Sequence, residues 1–441
     1  VVTDSNPVLC ADCHLSNALA DYGFTGVAGV RPLTQAIHVR HASVADPLTG
    51  IPLDAGSRDA CYLCHPGSTT KCLRGAMGKA IAADGTPEMQ CQSCHGTMSM
   101  VGQAGRPGWL DEPACQDCHT GTAMVNSGQI RYTSVFASPG VRRVAADATF
   151  ATNPDTPAPG ISLFRFSMGH GGLACQACHG STHAEYPAAA GANDNETTIQ
   201  IQGHEGMLVE CGICHEDVST LAYGGGPHGM HTTGQDWVDR HHHLVEAGTI
   251  SRASCEACHG TDYRGTVLSR SQADRTLDGD ELGMKHVWRG QTITCYTCHD
   301  GPDHEGRPRN PPPAAANAMA ATLPDTPVDV TLTATGTGAL TYRIVSQPAH
   351  GAVALAGRQA TFRPDAGFLG ADAFTFAASN GFRDGNLATV YLTVKTGPIP
   401  PPVIRRSTSR SAGSPSPSPG GSSAGPSKWR TPGRRPLRRR W

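Results

Sequence analysis

The segment LACQACHGSTHAEYP, residues 173–187, concentrates the chemistry of this chain. Cys175, Cys178 and His179 form the spacing C-x-x-C-H, and a second histidine, His183, follows four residues later. In one helical turn, residues three and four apart share a face. Two thiols so placed can form thioethers to the two vinyl groups of one porphyrin, and the adjoining imidazole then reaches the iron. C-x-x-C-H is accordingly an attachment signature for c-type haem. It occurs eight times: the pairs are Cys10/Cys13, Cys61/Cys64, Cys91/Cys94, Cys115/Cys118, Cys175/Cys178, Cys211/Cys214, Cys255/Cys258 and Cys295/Cys298. The proximal histidines are His14, His65, His95, His119, His179, His215, His259 and His299. Paired C-x-x-C is also a zinc-ribbon signature. A zinc ribbon gives no reason for histidine after every second cysteine, so eight covalently bound haem c groups are the expected cofactor. Of the 17 cysteines only Cys72 is left over. A free thiol, an intermolecular disulfide and an iron ligand are its open readings.

Each iron needs a sixth ligand or an open position. Thirteen of the 21 histidines lie outside the motifs, and His350 belongs to the C-terminal region. The remaining twelve are His38, His41, His170, His183, His204, His228, His231, His241, His242, His243, His286 and His304. That supply predicts bis-histidine ligation at most sites. Met98 and Met100 are weaker candidates, and methionine would raise the potential relative to histidine. A histidine one turn after a proximal one cannot pass around its own porphyrin. His183 and His304 are therefore expected to serve neighbouring haems. No spare histidine lies between His65 and Met168, so His38 and His41 are the expected donors to the haems at Cys91 and Cys115. Two or three of His228, His231 and the run His241–His243 are expected to be used. No catalytic residue is expected.

These motifs need little secondary structure to position them. Hydrophobic residues make up 38% of the 441, aromatics 5%, while Gly and Pro number 52 and 33. Globular domains carry about 45–50% apolar residues, so something else must supply buried apolar surface. From Cys10 to His299 there are about 36 residues per haem. Residues 1–305 are therefore expected to be a loop-rich, haem-packed domain with short helices at the motifs. Residues 306–325, GRPRNPPPAAANAMAATLPD, read as a Pro/Ala-rich linker open to proteolysis. Over 326–397 the pattern alternates with period 2, as in Val328–Thr333, Leu340–Ile344, Ala360–Phe362, Phe374–Phe376 and Val390–Val394. Six or seven short strands imply a small all-β sandwich.

Residues 398–441 are rich in Pro, Ser, Gly and Arg and read as a basic disordered tail. Nine Arg and one Lys follow residue 395. That leaves 25 basic against 37 acidic residues before it, a net charge near −12 under a formal total of −2. No stretch reaches the roughly 18 apolar residues of a membrane span. The start Val1-Val2-Thr3-Asp4 reads as a mature end after export, since haem c is attached outside the cytoplasmic membrane. The run Asp278-Gly279-Asp280-Glu281 lacks EF-hand spacing and reads as a solvated loop.

The eight motifs, the string CHGSTH and the appended LTYRIVSQPAHG…ATFRPDAGFLGADAFTFAASNG resemble extracellular octahaem c-type cytochromes that carry an Ig-like or cadherin-like module. That resemblance implies secretion or outer-surface location, with the periplasm as alternative. It implies electron transfer to or from outside acceptors through stacked bis-histidine haems. It also implies partners: further copies in a cytochrome filament (a nanowire), or other multihaem cytochromes. Nucleic acid is not among them. Two competing readings remain at the level of sequence. One is an octahaem oxidoreductase of the nitrite, hydroxylamine or tetrathionate type with one open or lysine-ligated iron. No C-x-x-C-K occurs, and only Lys71, Lys79 and Lys285 lie in the haem region. The other is a periplasmic or porin-associated conduit.

Overall fold

A computed structural model describes residues 9–65, 81–82, 84–106, 113, 117–118, 132–143, 170, 173, 175–180, 196–221, 223–304 and 306–397. Cys72, Cys115, His119, His183 and the basic tail lie outside them.

Short helices and two small hairpins carry the motif region. The helices are α1 (Cys10–Cys13), α2 (Leu33–His41), α3 (Arg58–Tyr62), α4 (Cys91–His95), α5 (Met98–Val101), α6 (Cys175–His179), α7 (Glu196–Gln202), α8 (Gln235–Glu246) and α9 (Arg252–His259). Most begin or end at a cysteine motif, where Gly, Pro and polar residues leave no longer periodic run. α8 is the longest at 12 residues. Asp236 in its first turn complements the helix dipole, and the Asp236–Arg240 pair at 3.4 Å braces one face. α2 packs on α5 at Gly102. A Cβ there would lie 2.7 Å from Val39 Cγ2 and 2.8 Å from its backbone N, so only glycine permits the approach. The hairpins are β1 (Phe136–Ser138) with β2 (Val141–Arg142), and β3 (Arg275–Asp278) with β4 (Met284–Val287). The run Asp278–Glu281 forms the tip of the second, with Asp280 N–H bonded to Asp278 Oδ1 at 3.0 Å.

The remaining strands are β5 (Ala314–Ala315), β6 (Ala318–Thr322), β7 (Val328–Thr331), β8 (Ala334–Thr335), β9 (Thr341–Ser346), β10 (Gly351–Ala356), β11 (Gln359–Pro364), β12 (Gly370–Ser379) and β13 (Ala388–Val394). One sheet has the order β10-β11-β7, the other β6-β13-β12-β9, and β5 pairs with β8. The face alternation is clearest in β13, where Ala388, Val390, Leu392 and Val394 point inward. They meet Phe362, Phe374, Phe376, Val330, Leu332 and Val353 in one buried cluster. Here the structure differs from the expected linker at 306–325. β6 pairs in parallel with β13 from Val390↔Ala318 to Val394↔Thr322, so this stretch is a structural strand of the sandwich. Its Ala-rich sequence lacks the branched and aromatic residues that signal a strand.

The sandwich is seated on the segment that carries the eighth motif. Asp384, only 6% exposed, accepts the Thr292 N–H at 2.8 Å and pairs with Arg343 at 2.5 Å. Arg343 also donates to Gly290 O at 2.8 Å, and Trp288 Nε1–H donates to Gly385 O at 3.0 Å. Thr294 Oγ1–H donates to Phe382 O at 3.0 Å, and the Tyr296 and Phe382 rings meet edge to face at 5.2 Å.

Candidate functional site

The described motifs form the turn that the spacing requires. The N–H of His14 bonds Cys10 O at 2.8 Å, that of His65 bonds Cys61 O at 3.0 Å, and those of His215 and His299 bond Cys211 and Cys295 O at 3.0 and 3.1 Å. α4, α6 and α9 run through their motifs to His95, His179 and His259. Glycine follows each of these three, with φ of +81°, +72° and +79°. A left-handed glycine ends the helix and turns the chain away from the face that carries sulfur and imidazole.

Cys64 lies just beyond the helix that carries Cys61. α3 stops at Tyr62, with Leu63 as its C-cap, so Cys64 falls in the turn beyond the helix. Its N–H reaches Cys61 O at 3.2 Å, which keeps the turn but tightens it, and the thiol is left exposed while Cys61 is half-buried. Cys214 is exposed for the same reason, since the short 3₁₀ turn Cys211–Ile213 ends just before it. Cys10 and Cys13 on α1 are exposed as well. At these four positions the sulfur is exposed.

The described cysteine side chains are unbridged thiols. Burial pushes Cys94 and Cys295 up to about 11 and Cys118 to about 12. Attachment turns also meet one another. Cys61 hydrogen-bonds Cys91, and Cys94 is an electrostatic neighbour of Cys118, Cys178 of Cys214, and Cys255 of Cys295.

Five motif histidines each face a histidine from elsewhere in the chain. Ring centres are 6.2 Å apart for His65 and His38, 6.1 Å for His179 and His228, and 5.9 Å for His215 and His170. They are 6.4 Å apart for His259 and His231, and 6.3 Å for His299 and His241. Metal–imidazole bonds are about 2 Å long, and a ring centre lies about 1.1 Å beyond its nitrogen. Two trans imidazoles on one metal therefore put their centres about 6.3 Å apart. The gaps fit one metal ion each.

The two ring nitrogens are also sorted. A backbone carbonyl only accepts, so a ring nitrogen bonded to one must carry the proton. Nδ1–H donates to Arg31 O from His14 at 2.7 Å, to Thr34 O from His38 at 2.7 Å and to Thr232 O from His231 at 2.6 Å. It donates to Val238 O from His241 at 3.0 Å, to Ile293 O from His259 at 3.1 Å and to Gly301 O from His299 at 2.6 Å. In each case Nε2 is left as the lone-pair donor, and the ring orientation is fixed, as metal-ligating histidines require. Burial lowers His38, His241 and His259, and brings His231 down to about 4. Burial favours the neutral form of these rings.

Two imidazoles are a small ligand set. Among the described residues no group of three or more His, Cys, Asp or Glu could hold a bare ion. Structural zinc needs four protein ligands. A porphyrin brings four nitrogens of its own, so a facing pair is the ligand set that would complete a haem iron.

Other sequence expectations are redistributed. His38, expected to serve the motifs at Cys91 and Cys115, faces His65, because the packing of α2 on α5 carries it there. His41 Nδ1 bonds Ile37 O at 2.8 Å, the same kind of bond that His38 makes, and so it keeps its place among the candidate donors. His304 is exposed and faces no imidazole among the described residues. His204 bonds Glu205 O at 2.8 Å and Glu210 at 3.0 Å, and Arg275 joins Glu210 at 2.5 Å. His286 bonds Thr276 on the facing strand at 3.0 Å. His242 and His243 lie against each other, ring centres 3.7 Å apart. His228 and His231 are both brought to motif histidines, as is His241, while His170 reaches forward to the sixth motif. Trp237 is the residue that the sequence reading passed over; its place one turn before His241 was the available signal.

Residues 310–394 match the bacterial Ig domain family. The motif-bearing part of the chain has no family match. No curated protein matches the chain. Among solved structures, the chain is similar to a candidate alpha-galactosidase from Bacteroides fragilis at 13% identity and TM-score 0.16, over 19% of this chain and 17% of that one. It is similar to titin M3 at 18% identity and TM-score 0.13, over 19% of this chain and 96% of that domain. A nucleoside hydrolase-related protein from Saccharophagus degradans gives 12% identity and TM-score 0.16, over 30% and 42%. At these scores the likenesses carry no argument about this chain.

Proposed function

We propose that the chain is an extracellular electron-transfer protein holding eight covalently attached haem c groups, most of them ligated by two histidines. The observation that carries this reading is the set of five imidazole pairs at 5.9–6.4 Å, each joining a motif histidine to a spare one. An iron so held supplies one-electron oxidation and reduction without binding a substrate. The protein's own part is positional. Cysteines would fix each group, backbone carbonyls fix the imidazoles of His14, His38, His231, His241, His259 and His299, and neighbouring motif turns keep the groups close. The Ig module and the resemblance noted above support a secreted or surface location. They also support partners that are further copies in a filament or other multihaem cytochromes, and electron microscopy of the purified protein distinguishes filaments from single molecules. The deciding experiment is intact mass with a pyridine haemochrome spectrum. Eight haem masses on the chain are expected; an unmodified chain, or one that carries zinc, defeats the reading.

A second reading, an oxidoreductase with one open iron, draws on His14. Among the described residues no imidazole faces it, and a cleft of about 550 Å³ beside it is lined by Arg31, Arg40 and Ser43. Carbon monoxide binding by the reduced wild-type protein favours that reading, and its absence favours the conduit.

A further inference from the structure

Trp237 stands between two of the imidazole pairs. Its ring stacks on His231 at 3.8 Å with 9° between planes, and lies 5.8 Å and 30° from His241. His231 faces the seventh motif through His259, and His241 faces the eighth through His299. One side chain thus touches the spare imidazole of both sites. The indole is itself held. Tyr223 packs on it at 5.4 Å, Arg240 lies over Tyr223 at 5.2 Å, and Asp236 accepts from the Tyr223 hydroxyl at 3.4 Å.

The five pairs fall into two groups by the angle between their rings. His231/His259, His241/His299 and His38/His65 are near parallel at 12°, 16° and 18°. His170/His215 and His179/His228 are steeply crossed at 62° and 64°. An imidazole on a metal can turn about its metal–nitrogen bond unless something meets its face. An Nδ1–H bond restrains that rotation at one edge, and a stacked indole restrains it over the whole ring. The angle matters electronically. Parallel ligand planes split the two iron d orbitals that overlap the imidazole π systems, whereas crossed planes leave them nearly degenerate.

We propose that Trp237 is a positioning residue that holds the axial planes of two adjacent haem sites near parallel and so sets their spectral and redox character together. This rests on the haem reading above. The test uses the full-length protein carrying its haems, with Trp237→Leu, Trp237→Met and Trp237→Phe. Intact mass first counts haems, and a wild-type chain without them defeats the haem reading and not the assignment of Trp237 alone. At full occupancy, ferric electron paramagnetic resonance separates resolved rhombic signals, from parallel planes, from single large-g features, from crossed ones. The Leu and Met variants are expected to move two of the eight signals from the first class to the second, with shifted midpoint potentials for the same two. The Phe variant, which keeps a flat ring, is expected to retain the wild-type pattern. An unchanged spectrum in both Leu and Met variants overturns the proposal. So does a Phe variant that behaves like Leu, or new carbon monoxide binding, which would mean that Trp237 secures ligation and not orientation.

Discussion

The turn that places cysteine and histidine on one face could be read from the C-x-x-C-H spacing alone, because that spacing is a local requirement of one helical turn. The histidine's partner could not, since the partner is chosen by tertiary packing. His228 follows the sixth motif yet faces His179 of the fifth, and His170 precedes the fifth yet faces His215 of the sixth. The pairing is crossed, and it makes a sharp prediction. His228→Ala is expected to leave all eight haems attached but to open the iron at Cys175/Cys178, whereas His170→Ala opens the one at Cys211/Cys214. Carbon monoxide difference spectra at unchanged intact mass report this, with about one haem in eight responding in each variant. Loss of a haem, or no new carbon monoxide binding, contradicts the pairing. The assignment of His38 shows why a count of supply and demand falls short. The sequence offers no nearer spare histidine to the motifs at Cys91 and Cys115, yet His38 faces His65. The exposure of Cys64 was equally hidden, because the spacing fixes a turn and not how far the helix around it extends.

The placement of His38 belongs to an element, the short helix α2. Its approach to α5 has no space for a Cβ at Gly102, where Val39 lies 2.7 Å away and His38 Cβ 3.2 Å away. Overpacking of this kind costs about 1–3 kcal/mol. Gly102→Ala should therefore lower the unfolding midpoint and push His38 off its partner. The expected readout is carbon monoxide binding at the Cys61/Cys64 haem; a destabilised protein with no such binding would mean that α2 moves as a unit with its iron. Short helices were legible wherever a motif fixed them. α8 was less so: its run of three histidines was plain, but which of them faces inward depends on where Trp237 sits. His241, one turn along, is on that face, while the His242 and His243 rings lie against each other and His243 also meets Glu246 at 3.8 Å.

At the scale of the whole molecule, period-2 alternation over 326–397 revealed the sandwich, and the bacterial Ig domain match covers it. The first strands escaped notice because alanine carries no strand signature, and with them the seat of the module on the eighth motif went unseen. Asp384 is the centre of that seat. Removing one partner from a buried ion pair costs about 3–5 kcal/mol, because the other charge is left unpaired. Asp384→Ala should lower the thermal midpoint and shift the potential of the Cys295/Cys298 haem; an unchanged melt and potential would show that the module sits there without influence. The parallel pairing of β6 with β13 has a mechanical consequence. After the two-residue strand β5 the chain runs along β6, and it leaves the module along β13, with five residues of each strand in register. Tension applied through the two ends runs along the strands in opposite directions. The ladder is therefore loaded in shear, with its hydrogen bonds sharing the force, and cannot open like a zipper one rung at a time.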